Sequence, residues 1–311
     1  VLPVVLALAI VSAGPSFAPP VPWALNFAAA GDFCMVGDVD GDGYADLIRV
    51  SPKGDCFIEV AINDHGMKSR WPQRALSNWG KDCQAACCAN IDDVSRVDVV
   101  GVFSGDTLRL AHAFKDGTFK DEPDWIKLPH KLSKPHIDFS QHMSGMDYLI
   151  VWSEDTGDSF QIEFPGSASQ AIKQQNIGRG KVWIGADDGY ISMNRAGQVS
   201  VEERKGTVLP GKMRNGASPM IWWRGDTGIP PCLFLDSPGD PSGFEEVTLP
   251  TSPLPDAPCT WASGDMSHDG LGDLIQFRFG SEPHSGHDVL LYRQIPPAVG
   301  GSKAAGTPNQ P

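Results

Sequence analysis

A chain of 311 residues with 41% hydrophobic content is long enough for one large domain or two ordinary ones with a real core. Its formal charge of −13 and pI near 4.9 exclude nucleic acid and anionic membrane as natural partners, because phosphate backbones and acidic lipids repel such a surface. Glycine (34) and proline (26) are abundant enough to point to many turns joining short strands rather than to long helices.

In chain order, the first segment is the apolar run opening "VLPVVLALAIVSAGPSFA". It is too short to span a bilayer, which takes about 20 apolar residues, and it ends in small residues at Ser16 and Ala18. Residues 1–18 are therefore expected to be a secretory signal peptide, truncated at its start because the run lacks a Met and a basic opening. The protein is expected to be secreted. No later segment is apolar enough to cross a membrane.

From Asp46 onward, apolar stretches recur in pairs around polar turns. "DLIRV SPKGD CFIEVAI" begins at Asp46, "DVVGV FSGD TLRLAHAF" at Asp98 and "DYLIVW SEDTGD SFQIEF" at Asp147. Three more begin near Asp188, at Pro219 and at Asp273. Each reads as a β-hairpin, and a spacing of roughly 45 residues is that of a four-stranded propeller blade. The expected fold is all-β, a propeller of six or seven four-stranded blades over residues 19–295. The one short helix candidate is "SQAIKQQNIG", Ser169 to Gly178. Residues 296–311 are rich in Pro, Gly and Ala and carry too little apolar bulk to fold, so a disordered tail or linker is expected.

Seven cysteines (34, 56, 83, 87, 88, 232 and 259) lack the paired spacing of a zinc site. In an exported protein some are expected to pair, with a connectivity that spacing does not give and an odd one left over.

The densest chemistry lies in "GDVDGDGYADLIRV". Counting from Asp38, carboxylates stand at positions 1, 3, 5 and 9: Asp38, Asp40, Asp42 and Asp46. Alternate residues of a tightly curled loop point to one centre, Gly43 permits the turn, and Tyr44 offers a backbone carbonyl. An all-oxygen set suits Ca²⁺. An EF-hand is excluded because position 12 is Arg49, within a strand-like run, where a bidentate Glu is required. "GDMSHDGLGDLIQF" repeats the spacing with Asp265, Ser267, Asp269, Leu271 (by its carbonyl) and Asp273. A plain polar turn is the other reading, but it leaves crowded carboxylates repelling one another without a cation.

These two loops resemble the calcium loop of the FG-GAP and VCBS repeat family, the integrin-α-type propellers. The resemblance implies Ca²⁺ held between adjacent strands of a blade by Asp38, Asp40, Asp42, Tyr44 and Asp46, and by Asp265, Ser267, Asp269, Leu271 and Asp273. It covers the first and last units only. "NIDDVSRVD" keeps Asn90, Asp92 and Asp98 but has Val94 at position 5, and "FSQHMSGMD" keeps only Gln141 and Asp147, so no calcium is expected in either.

No hydrolase elbow, zinc-protease helix, P-loop or dinucleotide fingerprint is present. His284 to Asp288 and the acids Glu154, Asp155 and Asp158 fall at hairpin tips, where polar residues are ordinary. Nine tryptophans can stack on sugars or fill the space between blades. Trp71, Trp79 and Trp125, in polar surroundings, are the ones best placed for exposure. The expected protein is a monomeric, calcium-stabilised binding or adhesion module for a glycan or an extracellular protein. A polysaccharide-active enzyme, or an accessory domain of one, is the alternative.

Overall fold

The computed structural model describes residues 16–24, 27–66, 72–91, 95–141, 147–153, 155–164, 172–176, 181–186, 189–194, 204–208, 219–224, 232–236, 244–252, 258–279 and 289–295. Across these, β1 (Ser16–Phe17) and β2 (Val21–Ala24) precede a first sheet of β3 (Phe33–Gly37), β4 (Asp46–Ser51), β5 (Phe57–Ala61) and β6 (Gln73–Leu76). A second sheet holds β7 (Cys83–Ala89), β8 (Asp98–Phe103), β9 (Thr107–Ala113) and β10 (Phe119–Lys127). A third holds β11 (Pro135–Gln141), β12 (Asp147–Ser153), β13 (Asp158–Phe164) and β14 (Ile172–Asn176).

Then come the pair β15 (Lys181–Ala186) with β16 (Gly189–Asn194), and the sheet β17 (Arg204–Val208), β18 (Pro219–Arg224), β19 (Cys232–Asp236) and β20 (Phe244–Thr248). The last sheet joins β21 (Cys259–Gly264), β22 (Asp273–Arg278) and β23 (Val289–Tyr292) to β2 from the other end of the chain, and β1 pairs with β24 (Gln294–Ile295). Every pairing is antiparallel between sequence neighbours, apart from those that β1 and β2 make.

This is a β-propeller. The strands β21, β3, β7, β11 and β15, each at the end of its sheet, touch one another in turn between neighbouring sheets, so they line the axis. The second strands β8 and β22 are buried on both faces, which is why they read as unbroken apolar runs. Successive side chains of β4 show the division of labour. Leu47 packs with Ile275, Phe277 and Leu291 of the last sheet, and Ile48 packs with Val99 and Phe103 of the second. A third cluster joins Val100, Val102 and Leu110 to Leu149, Val151 and Phe160. Each such aliphatic side chain contributes about 1.5–3 kcal/mol by leaving water, and each cluster ties two sheets together.

The hairpins read at Asp46, Asp98, Asp147, Pro219 and Asp273 are β4–β5, β8–β9, β12–β13, β18–β19 and β22–β23. One expectation changes: Ile172–Asn176, inside the helix candidate, is the outer strand β14. Of the hairpin expected from Asp188, the first arm is β16, which pairs with β15, and the second arm lies outside the described residues. Phe17, within the segment read as a leader, is buried against Leu249, Trp261 and Tyr292, and Ala18 N donates to Arg293 O at 2.9 Å. Residues 1–15 and 296–311, Trp71, Glu154 and His284–Asp288 lie outside the described residues.

Candidate metal centre

Both acidic loops occupy the same place in their sheets, between the axial strand and the one beside it. Residues 38–45 join β3 to β4, and 265–272 join β21 to β22. The first loop is wound by its own carboxylates. Asp38 accepts from Gly41 N at 2.7 Å and from Gly43 N at 2.9 Å, Asp40 from Asp42 N at 3.2 Å, and Asp42 from Tyr44 N at 2.8 Å. Gly41 and Gly43 take φ of +81° and +91°, where a Cβ is strained. The outcome is convergence: one oxygen each from Asp38, Asp40 and Asp42 lie within 4.8 Å of one another.

Partial burial raises the carboxyls of Asp38 and Asp40. Backbone N–H donors oppose that on both, and neighbouring carboxylates add to it. Such a group of acids is relieved by a cation. Three carboxylates in a glycine-turned loop fit a hard, oxygen-seeking ion such as Ca²⁺, and the backbone bonds leave Asp40 and Asp42 an oxygen each to offer.

Asp46 is seated apart from these three. It is fully buried, and its two oxygens accept from Val39 N at 2.8 Å and Asn63 N at 2.7 Å. Burial first, then the nearby Asp40 and Asp38, pushes its carboxyl up to about 7 against those two bonds. Its visible work is to tie the start of β4 to the loop above and to the end of β5. Tyr44 is half-buried and stacks between His65 and His268, with ring centroids 5.6 and 5.0 Å away.

The second loop is built in a similar way, with its position-1 acid bonded to the backbone of positions 5 and 6. Asp265 accepts from Asp269 N at 3.1 Å and Gly270 N at 2.8 Å, and Asp269 accepts from Leu271 N at 2.9 Å. Asp273, fully buried and pushed up to about 6 mainly by burial, accepts from Met266 N at 3.2 Å and Gln294 N at 2.8 Å. His268 takes the left-handed turn that Gly41 takes in the first loop, at φ 56°. With Ser267 at position 3, this loop brings two carboxylates where the first brings three.

The loops are also bonded to each other. Ala45 N donates to Asp265 O at 2.9 Å, and Asn63 Nδ2 donates to Met266 O at 2.9 Å and to Ala45 O at 3.1 Å. On the other side, Val97 N donates to Asp38 O at 2.8 Å. Asp98, the position-9 acid of the second sheet, is buried and accepts from Ala113 N at 2.8 Å. Sequence reasoning missed this role. A buried aspartate beginning β4, β8 and β22 ties its sheet whether or not the loop before it can hold an ion, and its recurrence at Asp46, Asp98 and Asp273 was the available signal.

The other candidates disperse. Trp79 is fully buried, edge-on to Phe103 at 5.4 Å, which corrects the expectation of exposure. Trp125 is half-buried against the cluster between the second and third sheets. Asp155 pairs with Lys134 at 3.3 Å and Asp158 lies 3.5 Å from the His130 ring, both as surface contacts. One further acid stands out. Asp138, on the axial strand β11, is pushed up to about 7 by burial, with the Phe139 N–H donated to it at 2.8 Å.

No protein-family model matches the chain, and no curated protein matches it in sequence. The resemblance to FG-GAP and VCBS repeats is thus not matched at the level of a family. Among solved structures, a protein of unknown function from Dyadobacter fermentans DSM 18053 superposes with a TM-score of 0.57 over 91% of this chain and 100% of that one, at 9% identity. A thermostable family-43 glycoside hydrolase gives a TM-score of 0.46 over 92% of this chain and 98% of that one, at 12% identity. At 9% identity the first of these is a likeness of fold alone, and the strand order makes the chain an all-β propeller.

Proposed function

We propose that the protein is a secreted, calcium-stabilised propeller of six blades that engages a glycan or an extracellular protein at a face of the disc. The observation that carries the calcium reading is the convergence of Asp38, Asp40 and Asp42 on one point in a loop whose backbone is already turned to hold them. Counting β15–β16 as part of a fourth sheet, and β2 as the closing strand of a sixth, supports six blades in this reading. The metal's role in this reading is mechanical. It neutralises the loop and fixes the start of β4, and the linked loops pass that order around the rim. A rigid rim suits binding, because a surface that is already ordered loses little entropy when a ligand arrives. The acidic surface favours neutral or cationic ligands.

The alternative is a polysaccharide-active enzyme or its accessory domain, and one observation favours it. Asp138 stands on an axial strand, with a carboxyl held near 7 and therefore able to give or take a proton at neutral pH. Binding to a glycan array with calcium and with EDTA, run beside a reducing-sugar assay on the same polysaccharides, separates the readings. Calcium-dependent binding without release supports the first, and release that Asp138→Asn abolishes supports the second. Melting that is indifferent to both calcium and EDTA overturns the metal.

A further inference from the structure

Two cysteines far apart in sequence are brought side by side where the first sheet meets the second. The turn before β5 and the segment leading into β7 run antiparallel, with Asp55 and Lys81 forming a bridge. Cys56 N donates to Gly80 O at 2.9 Å, and Trp79 N donates to Cys56 O at 2.7 Å. Beyond this short ladder the chain turns in, so that Cys83 N donates to Cys56 Sγ at 3.3 Å. Cys56 is fully buried and Cys83 nearly so, within one apolar cluster.

From this geometry we infer that Cys56 and Cys83 form a disulfide when a disulfide-class oxidant is present, stapling the first sheet to the second. The residue facing Cys56 in this ladder is Gly80, so Cys83 meets Cys56 at its sulfur, through the 3.3 Å contact, and not by register. The Cys56 sulfur already touches the Cys83 backbone, so a turn about the Cys83 Cα–Cβ bond brings the second sulfur to it. The interactions surrendered are weak: Cys56 Sγ to Pro52 O at 3.2 Å and Cys83 Sγ to Ala85 O at 3.2 Å. In the step, two S–H bonds break and one S–S bond forms. The oxidant's S–S bond breaks, and it takes up the two electrons and the two protons as two thiols.

Of the other described cysteines, Cys34 and Cys259 pack against other apolar clusters. Cys87 and Cys88 are adjacent on β7 and face opposite sides of the strand, and Cys88 Sγ is directed to Val36 O at 3.3 Å. Burial pushes the Cys83 thiol well up, as does the neighbouring Cys56 sulfur, so the closed core disfavours the reactive thiolate. The bond therefore forms while the fold is open, and once enclosed it is shielded from reductant.

The protein is equilibrated with oxidised and reduced glutathione in mild denaturant, returned to buffer, then unfolded in iodoacetamide without reductant, digested and weighed. The expected product is a linked pair of peptides lacking two hydrogens, with fragmentation placing the bond at Cys56 and Cys83 rather than at Cys87 or Cys88. Recovery of Cys56 and Cys83 both alkylated, or Cys56 joined to any other cysteine, overturns the inference. A closed loop of this length shifts the unfolding equilibrium roughly a hundredfold between oxidised and reduced protein. That difference is expected to vanish in Cys83→Ser and in Cys56→Ser, and the mass measurement stands without either variant.

Discussion

His268 Nδ1 lies 2.7 Å from the carbonyl oxygen of Gly43, so a side chain of one acidic loop is bonded to the backbone of the other. A carbonyl only accepts, so Nδ1 carries the proton. The imidazole packs so closely that a Cβ on Gly43 would fall inside it, and Gly43 has a φ of +91° as well. Gly43→Ala is therefore expected to destabilise by about 2–3 kcal/mol, with steric and torsional parts. Urea denaturation of Gly43→Ala, His268→Ala and the double variant separates them. The double variant is expected to recover the steric part and keep the torsional one, and strict additivity would refute the contact.

The two kinds of aspartate in the first loop are expected to fail differently. Asp46→Ala strands the N–H groups of Val39 and Asn63 inside the fold and costs about 3 kcal/mol, with or without calcium. Asp42 is exposed, and Asp42→Asn keeps the oxygen that accepts from Tyr44 N, so the metal-free protein changes by under about 0.5 kcal/mol. What Asp42→Asn loses is the response to metal. Saturating calcium at a hundred times its dissociation constant stabilises the wild type by about 2.7 kcal/mol. Melting curves in calcium and in EDTA for the three proteins test both statements.

Asp138 sets a pH dependence with a definite sign. Its folded pKa, near 7, is above the ordinary value of 3.8, so the folded state binds the proton more tightly. Stability from this group is complete below the ordinary carboxyl range and is lost as pH rises towards 7, with a slope of at most about 1.4 kcal/mol per pH unit. Asp138→Asn is expected to flatten the stability profile between pH 4 and 7. An unchanged profile would show that the carboxyl titrates normally. Measuring in EDTA keeps calcium binding out of the comparison.

Trp79 packs on Phe103, and a Cβ at Gly101 would press on its ring at 2.7 Å. Trp79→Ala is expected to cost about 3–5 kcal/mol by opening a cavity between the first and second sheets. Gly101→Ala is expected to cost about 1–3 kcal/mol by overfilling the same space. If Trp79 were a sugar platform instead, Trp79→Ala would leave the melting temperature near that of the wild type.

The strand pattern was legible in the sequence because propeller sheets are covered on both faces. Runs such as Asp98–Phe103 and Asp273–Arg278 are buried throughout and show no polar alternation to confuse. Legibility failed at the rim. Ile172–Asn176 is an outer strand whose polar residues resemble a solvated helix until its pairing with β13 is known. Trp79 sits among Ser, Asn, Gly and Lys because it begins a turn, while its ring goes the other way, into the core. Asp46 looked like its neighbours because residue type does not say which way a carboxylate points. Three of the four acids converge, and the fourth serves the backbone beneath.

The pairing of Ser16 with Ile295 sets how the disc answers force. Ser16 begins β1 and Ile295 ends β24, so tension applied to these two residues loads the β1–β24 pair at its open end. Bonds arranged in that way part in turn, like a zip, instead of resisting together. Under such a load the ring is expected to yield first at its seam, with Phe17 leaving Tyr292 and then Val21 and Pro22 peeling from Leu291 and Leu290.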